Sequence, residues 1–63
     1  MSIKSLRQAR GLSQVKLSYA AEITPSRIQD YESGRMKPEE MRVKTALRLM
    51  EALGTDDIRD LLD

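Results

Sequence analysis

The sequence predicts an all-α fold, a compact bundle of five helices forming a single domain over residues 1–63. Three observations carry this expectation. Apolar residues recur three and four apart, the spacing of one helical face, and no stretch alternates as a strand would. Gly11, Gly34 and Gly54, with Pro25 and Pro38, cut the chain into pieces of helical length. Residues that cap helices, Ser13 and Thr24 above all, stand beside those cuts.

Segment one, roughly Ser2 to Arg10, sets Ile3, Leu6 and Ala9 near one face with Arg7 and Arg10 beside them. Gly11 stops it, and Leu12 is placed to fold back on Leu6, the apolar contact expected beside a helix C-cap. Segments two and three occupy Ser13 to Gly34. Ser13 offers a hydroxyl to the orphan N–H groups of the next turn, and Leu17 and Ala21 share a face. The pattern halts at Glu22-Ile23-Thr24. Thr24 is a second N-cap, followed by Pro25 at the first helical position, where a missing N–H costs nothing. Ile28 then points inward and Gly34 supplies the left-handed stop. Two short helices joined by three or four residues make a helix-turn-helix, whose second helix can enter the DNA major groove.

Arg35-Met36-Lys37 form a loop before Pro38, which opens segment four with Glu39 and Glu40 in the first turn, where the helix dipole favours acids. Met41, Val43, Ala46, Leu47, Met50 and Leu53 give that segment the widest apolar stripe in the chain. Gly54 ends it. Thr55 or Asp56 caps a last short helix with Ile58, Leu61 and Leu62 on its apolar face. The methionines at 1, 36, 41 and 50 read as start codon, loop and core filler.

Composition narrows the function. At 63 residues the core is thin, near the lower limit for folding without metal or disulfides. The chain has no Cys and no His, which excludes a disulfide framework, the usual zinc sites, His-based acid–base catalysis and a Cys nucleophile. No nucleophile–base pair or metal-ligand cluster is visible, so the expectation is a protein without enzymatic chemistry and without cofactors. No apolar run is long enough to span a bilayer and no signal-peptide core opens the chain, so the expected setting is cytoplasmic, associated with the nucleoid. The net charge is only +1, but it is unevenly spread. Residues 1–37 carry seven cations against three anions, a balance of +4, and residues 38–63 carry four against seven, a balance of −3. That split fits a basic face for a polyanion with an acidic far side; chance clustering on a solvated surface is the alternative.

Taken together, these residues resemble the DNA-binding domain of the phage repressor and Cro family, the XRE-type helix-turn-helix regulators, over nearly everything from Ile3 to Leu62. The resemblance rests on Leu6-Arg7, Arg10-Gly11-Leu12-Ser13-Gln14, Leu17 and Ala21. It continues through Ile28-Gln29-Asp30-Tyr31-Glu32-Ser33-Gly34, Ala52-Leu53-Gly54 and the closing Ile58-x-x-Leu61-Leu62. It implies a lambda-repressor-like bundle with helices 2 and 3 as the helix-turn-helix. Two positions depart from the family pattern. Glu22 stands where the family usually has glycine at positive φ, at a cost of about 1 kcal/mol or a shifted turn. Ser18 stands where the family often has alanine between the two helices, and fits if its hydroxyl bonds back to a carbonyl.

The motif places the N-terminal part of its second helix against base edges, which here means Pro25, Ser26, Arg27, Gln29 and Asp30. Arg27 suits guanine O6/N7 and Gln29 suits adenine N6/N7, each bidentately. Asp30 can accept from cytosine N4 or orient Arg27. Candidate phosphate contacts are Gln14, whose position in the family touches phosphate, then Arg35 and Lys37 past the reading helix, with Arg10 and Lys16 as further candidates. Each has the alternative of a merely solvated side chain. Arg7 and Glu32 both turn inward, four residues after Ile3 and Ile28, and the resemblance implies a partly buried ion pair between them. Tyr31 reads as cover over the core, and Tyr19 as outward-facing.

The expected function is sequence-specific binding of double-stranded DNA by a prokaryotic or phage transcriptional repressor or regulator that fills operator half-sites as a homodimer. Its two-fold contact is expected at Ile58, Leu61 and Leu62, the alternative being that they only close the core. No membrane or small-molecule partner is evident. An antitoxin or protein-interaction module keeping the same fold is the competing reading, and a salt-dependent gel shift on random DNA separates the two.

Overall fold

Ser2 opens the first helix of a computed structural model that describes residues 2–62. Met1, read as the start codon, and Asp63, one of the acids in the charge balance, lie outside the described residues. The Ser2 hydroxyl accepts from the Ser5 amide at 3.1 Å while the Ser5 hydroxyl accepts from the Ser2 amide at 2.9 Å, a reciprocal capping box. Four α-helices follow: α1 over Ile3–Ala9, α2 over Gln14–Ala21, α3 over Pro25–Ser33 and α4 over Val43–Leu53. Two 3₁₀ turns, Pro38–Glu40 and Ile58–Leu61, complete the chain. Among the described residues the only β pairing is an isolated antiparallel bridge between Ser2 and Leu62, which ties the two ends together.

Three helices stop in the same way. After α1, the Leu12 amide donates to the Arg7 carbonyl and the Gly11 amide to that of Gln8, both at 3.0 Å. The equivalent pairs after α2 are Ile23 to Ser18 and Glu22 to Tyr19, and after α4 Thr55 to Met50 and Gly54 to Glu51. This double bond satisfies orphan carbonyls and requires a left-handed residue, which is why glycine serves after α1 and α4. Glu22 does the same work at φ 57, the one non-glycine residue at positive φ among those described.

The core gathers Ile3 and Leu6 from α1, Leu17 and Ala21 from α2, and Ile28 and Tyr31 from α3, closed by Ala46, Leu49 and Leu53 of α4 and by Leu61. Helix α2 packs on both α3 and α4, while α1 packs on α3 and on the final turn. Leu12, Ile23, Met36, Met41 and Met50 lie partly buried against this cluster.

Five helices were expected, and the structure has four. The fourth begins at Val43 rather than Pro38 because Met41 and Arg42 are both extended, with ψ 154 and 149. The inner stripe of α4 explains the break. Stepping back by four from Ala46 and then by three would bring Arg42 and Glu39 onto the buried face, so a continuous helix would carry charge inward. The inner stripe also differs from the expected one: Leu49 is fully buried, whereas Val43 and Leu47 are 73% and 57% exposed. The last segment is a 3₁₀ turn, capped by Asp57 rather than Thr55 or Asp56. Thr55 supports that cap, its hydroxyl accepting from the Asp57 amide and donating to the Asp60 carboxylate. Four residues between Asp57 and the closing bridge leave too little chain for an α-helix.

Candidate nucleic-acid interface

Helix α3 is held at both ends. The Thr24 hydroxyl accepts from the Arg27 amide at 3.3 Å, Pro25 fills the first helical position, and Gly34 closes the far end at φ 85. Within α2, the Ser18 hydroxyl donates back to the Val15 carbonyl at 2.6 Å, so its polar atom is satisfied although the residue is only 2% exposed. Ile28 and Tyr31 anchor the inner side of α3, and Pro25, Ser26, Arg27, Gln29 and Ser33 stand exposed.

The ion pair between α1 and α3 sets the height of that helix. Arg7 donates from Nε to Glu32 Oε2 at 2.6 Å, from Nη2 to Oε1 at 3.0 Å, and from Nη1 to the Leu12 carbonyl at 2.8 Å. Both side chains are largely withdrawn from water, with 12% and 5% exposed. Burial alone would push the Glu32 carboxyl up. Hydrogen bonds from Arg7 and Gln14, with the charges of Arg7 and Lys4, outweigh it and hold the group below the ordinary glutamate range. The same hydrogen bond raises the Arg7 guanidinium, which stays charged at any ordinary pH.

Two grooves flank α3. One is lined by Lys4, Gln14, Gln29, Asp30, Ser33 and Arg35, over the Arg7–Glu32 pair. The other runs beside the turn and the start of α4, lined by Glu22, Thr24, Arg27, Arg42, Lys44 and Arg48. Arg27 and Gln29, two residues apart on α3, thus face opposite walls.

Several side chains do more, or other, than expected. Gln14 spends its amide on Glu32, donating to Oε1 at 3.1 Å, because it faces the carboxylate left over by Arg7. Arg10 reaches across to the end of α4, where Nη2 donates to the Gly54 carbonyl at 3.1 Å and its cation complements the C-terminal dipole. Asp30 lies 3.9 Å from Arg35 instead of bracing Arg27, a loose pair with Arg35 itself 80% exposed. Lys16 and Lys37 are exposed with no ion pair among the described residues. Leu61 is 1% exposed and points into the core, so it is unavailable as a two-fold contact; Leu62 is half-buried and Ile58 is 47% exposed. Two features were missed from sequence: Lys4 in the first groove, and the gathering of Arg42, Lys44 and Arg48 in the second. Their segment had been assigned to an acidic far side.

A family model described as a helix-turn-helix domain matches residues 2–62. The chain belongs to that family. No curated protein and no solved structure matches it. In a helix-turn-helix domain α2 and α3 are the two motif helices and α3 is the one built to enter the major groove, so membership points to DNA as the partner. Among the described residues of this helix-turn-helix domain no helix is long and apolar enough to cross a membrane.

Proposed function

We propose that the protein is a sequence-specific regulator of transcription, most simply a repressor, that binds operator half-sites in double-stranded DNA as a homodimer. The observation that carries this reading is helix α3, whose exposed side is polar and flanked on both sides by grooves bearing cations. Pro25, Ser26, Arg27, Gln29 and Asp30 are assigned to base edges, with Arg27 and Gln29 the bidentate readers. Lys37, Arg35, Lys16 and Lys4 are assigned to phosphates, and Gln14 joins them through whatever Glu32 leaves free. Arg10, bound to Gly54, is a structural tie that can at most share its charge with the backbone. A function in the cytoplasm, at the nucleoid, and a single domain over residues 1–63 complete the proposal.

The size of the domain supports pairing. The domain measures 24 × 23 × 19 Å, shorter than the roughly 34–36 Å between successive major-groove faces, so one copy covers one half-site. The exposed apolar residues Val43 and Leu47 of α4, with Ile58, are offered as the face that meets a second copy. Selection of bound duplexes from a random pool tests the whole reading. A recovered site with two symmetric halves one helical turn apart is expected. A pool that shows no enrichment, with no salt-dependent retention of any duplex, overturns it.

A further inference from the structure

Among the positive-φ positions of the described residues, Gly11, Gly34 and Gly54 carry no side chain, whereas Glu22 carries a long acidic one. A glutamate at φ 57 is strained, and such strain is kept where the side chain has a task. Glu22 is exposed and borders the groove between the turn and α4, which Arg27 enters from α3. Arg42, Lys44 and Arg48 line the same groove, so Glu22 is the one acid there among four cations. None of these five side chains takes part in an ion pair among the described residues. Asp30, three residues past Arg27, is turned toward Arg35 and borders the opposite groove. The acid that shares a groove with Arg27 is therefore Glu22.

The backbone fixes where both side chains start. The Glu22 amide donates to the Tyr19 carbonyl at 3.3 Å, and the Arg27 amide to the Thr24 hydroxyl at 3.3 Å. Left with three other cations, the Arg27 guanidinium would be repelled from the groove and drawn to the nearest phosphate. A carboxylate on the same groove changes that balance. We infer that Glu22 is a positioning residue for base selection, whose carboxylate braces the Arg27 guanidinium against a guanine edge. Bidentate contact with guanine O6 and N7 uses two of the five guanidinium N–H donors and leaves others for a carboxylate. In water an exposed pair of this kind gains little, which accords with the unpaired state of both side chains in the structure. Where DNA covers the groove, the lower dielectric strengthens the attraction, and rotation of the two exposed side chains closes the pair. On a site without that guanine, Arg27 leaves for a phosphate and Glu22 is stranded, a penalty on the wrong sequence.

The inference rests on sequence-specific DNA binding by α3, and the experiment separates the two. Anisotropy competition would compare the selected duplex with duplexes changed at the guanine position that Arg27→Ala relaxes. Glu22→Gln keeps the length and the strain of the residue but removes its charge. Glu22→Gly removes charge and strain together and is expected to melt above the parent. Both variants should lose about tenfold of the guanine preference and bind random duplex more tightly. A loss in the more stable Glu22→Gly chain cannot come from unfolding. In the Arg27→Ala background, Glu22→Gln should leave the residual preference at that position unchanged, because the brace has nothing to hold. Parent-like preference in both Glu22 variants overturns the brace and leaves the proposed function standing. An undiminished loss in the Arg27→Ala background also overturns it, since Glu22 would then act without Arg27. A parent chain with no preference among duplexes removes both readings together.

Discussion

Arg7 grips Glu32 with two parallel hydrogen bonds, Nε to Oε2 and Nη2 to Oε1, across 25 residues of chain and with both side chains largely out of water. This fork joins the first helix to the reading helix, and Gln14 brings the start of α2 to the same carboxylate. Three of the four helices are thus tied at one acid. Removing Glu32 alone strands the Arg7 cation, so Glu32→Ala is expected to destabilise the fold by about 3–5 kcal/mol. A domain of this kind has roughly 5–15 kcal/mol in all, so thermal melting should show a large drop. A variant that melts with the parent would mean the pair adds nothing.

The same carboxylate sets an acid limit. Its pKa in the fold lies below the ordinary glutamate value of about 4.3, so the unfolded chain binds more protons in that window. The pair's contribution is complete above about pH 4.3 and disappears as the pH falls through the lowered folded value. Arg7 shifts upward, which changes nothing at any pH the fold meets. Urea midpoints measured from pH 6 downward should fall in that acid window, and the Glu32→Gln variant should show a shallower fall. Parallel curves for the two would assign the acid sensitivity to other carboxylates.

The turn of the motif carries a measurable strain. Glu22 holds φ 57 and ψ 41 because its amide must donate to the Tyr19 carbonyl as α2 ends. A side chain with a Cβ in that conformation costs roughly 1–2 kcal/mol, and glycine gives back part of the gain through its freer unfolded state. Glu22→Gly should therefore stabilise by about 1 kcal/mol, a rise in Tm of roughly 4–8 °C for a domain this small. Glu22→Ala removes the charge but keeps the Cβ, and should show none of that gain. Equal melting of the two variants would assign the effect to charge.

How much of this was legible before folding depended on whether the signal was local. The caps at Ser13 and Thr24, the helix stops at Gly11 and Gly34, and the inward Ile28 are set by neighbours within four residues, and all stand where the sequence put them. At Glu22 the resemblance left strain or a shifted turn open, and the structure has the strained residue, at φ 57. The Arg7–Glu32 pair was legible through the resemblance, since no local rule joins residues 25 apart. The start of α4 was misread because Pro38 and two acids are good helix openers, while the reason to break lies in what Arg42 would meet on the buried face. The second groove was invisible in a linear charge balance, because helical projection sends Lys44 and Arg48 away from the acids that surround them in sequence. Leu61 was misassigned for the same reason: its burial is decided by α4, which the closing turn packs against.

Arg27 is the residue on which base selectivity is expected to turn. It sits at the third position of α3, exposed, with its backbone amide fixed by Thr24 and its guanidinium in no ion pair among the described residues. Arg27→Ala should cost about 1–3 kcal/mol on the preferred duplex and relax the choice of one base pair. Competition with duplexes varied at single positions checks this. Equal losses on every duplex would make Arg27 a phosphate contact.

The pairing of two copies is expected to depend on α4 rather than on the last turn alone. Leu61 is held in the core, which leaves Ile58 and the half-buried Leu62 from the closing segment. Val43 and Leu47, one helical turn apart on α4, are more exposed than either and extend the same apolar surface, since Val43 and Ile58 line one shallow groove with Pro38 and Met41. An aspartate at Leu47 would have to be buried without a partner in a two-fold contact, and costs the monomer little because Leu47 is already 57% exposed. Leu47→Asp should therefore melt like the parent and fill a single half-site with the parent affinity, yet fill two half-sites independently. The readout is the Hill coefficient on a two-half-site duplex, expected to fall to about 1. If cooperative filling survives in both Leu47→Asp and Ile58→Asp, the second copy meets the first through another face.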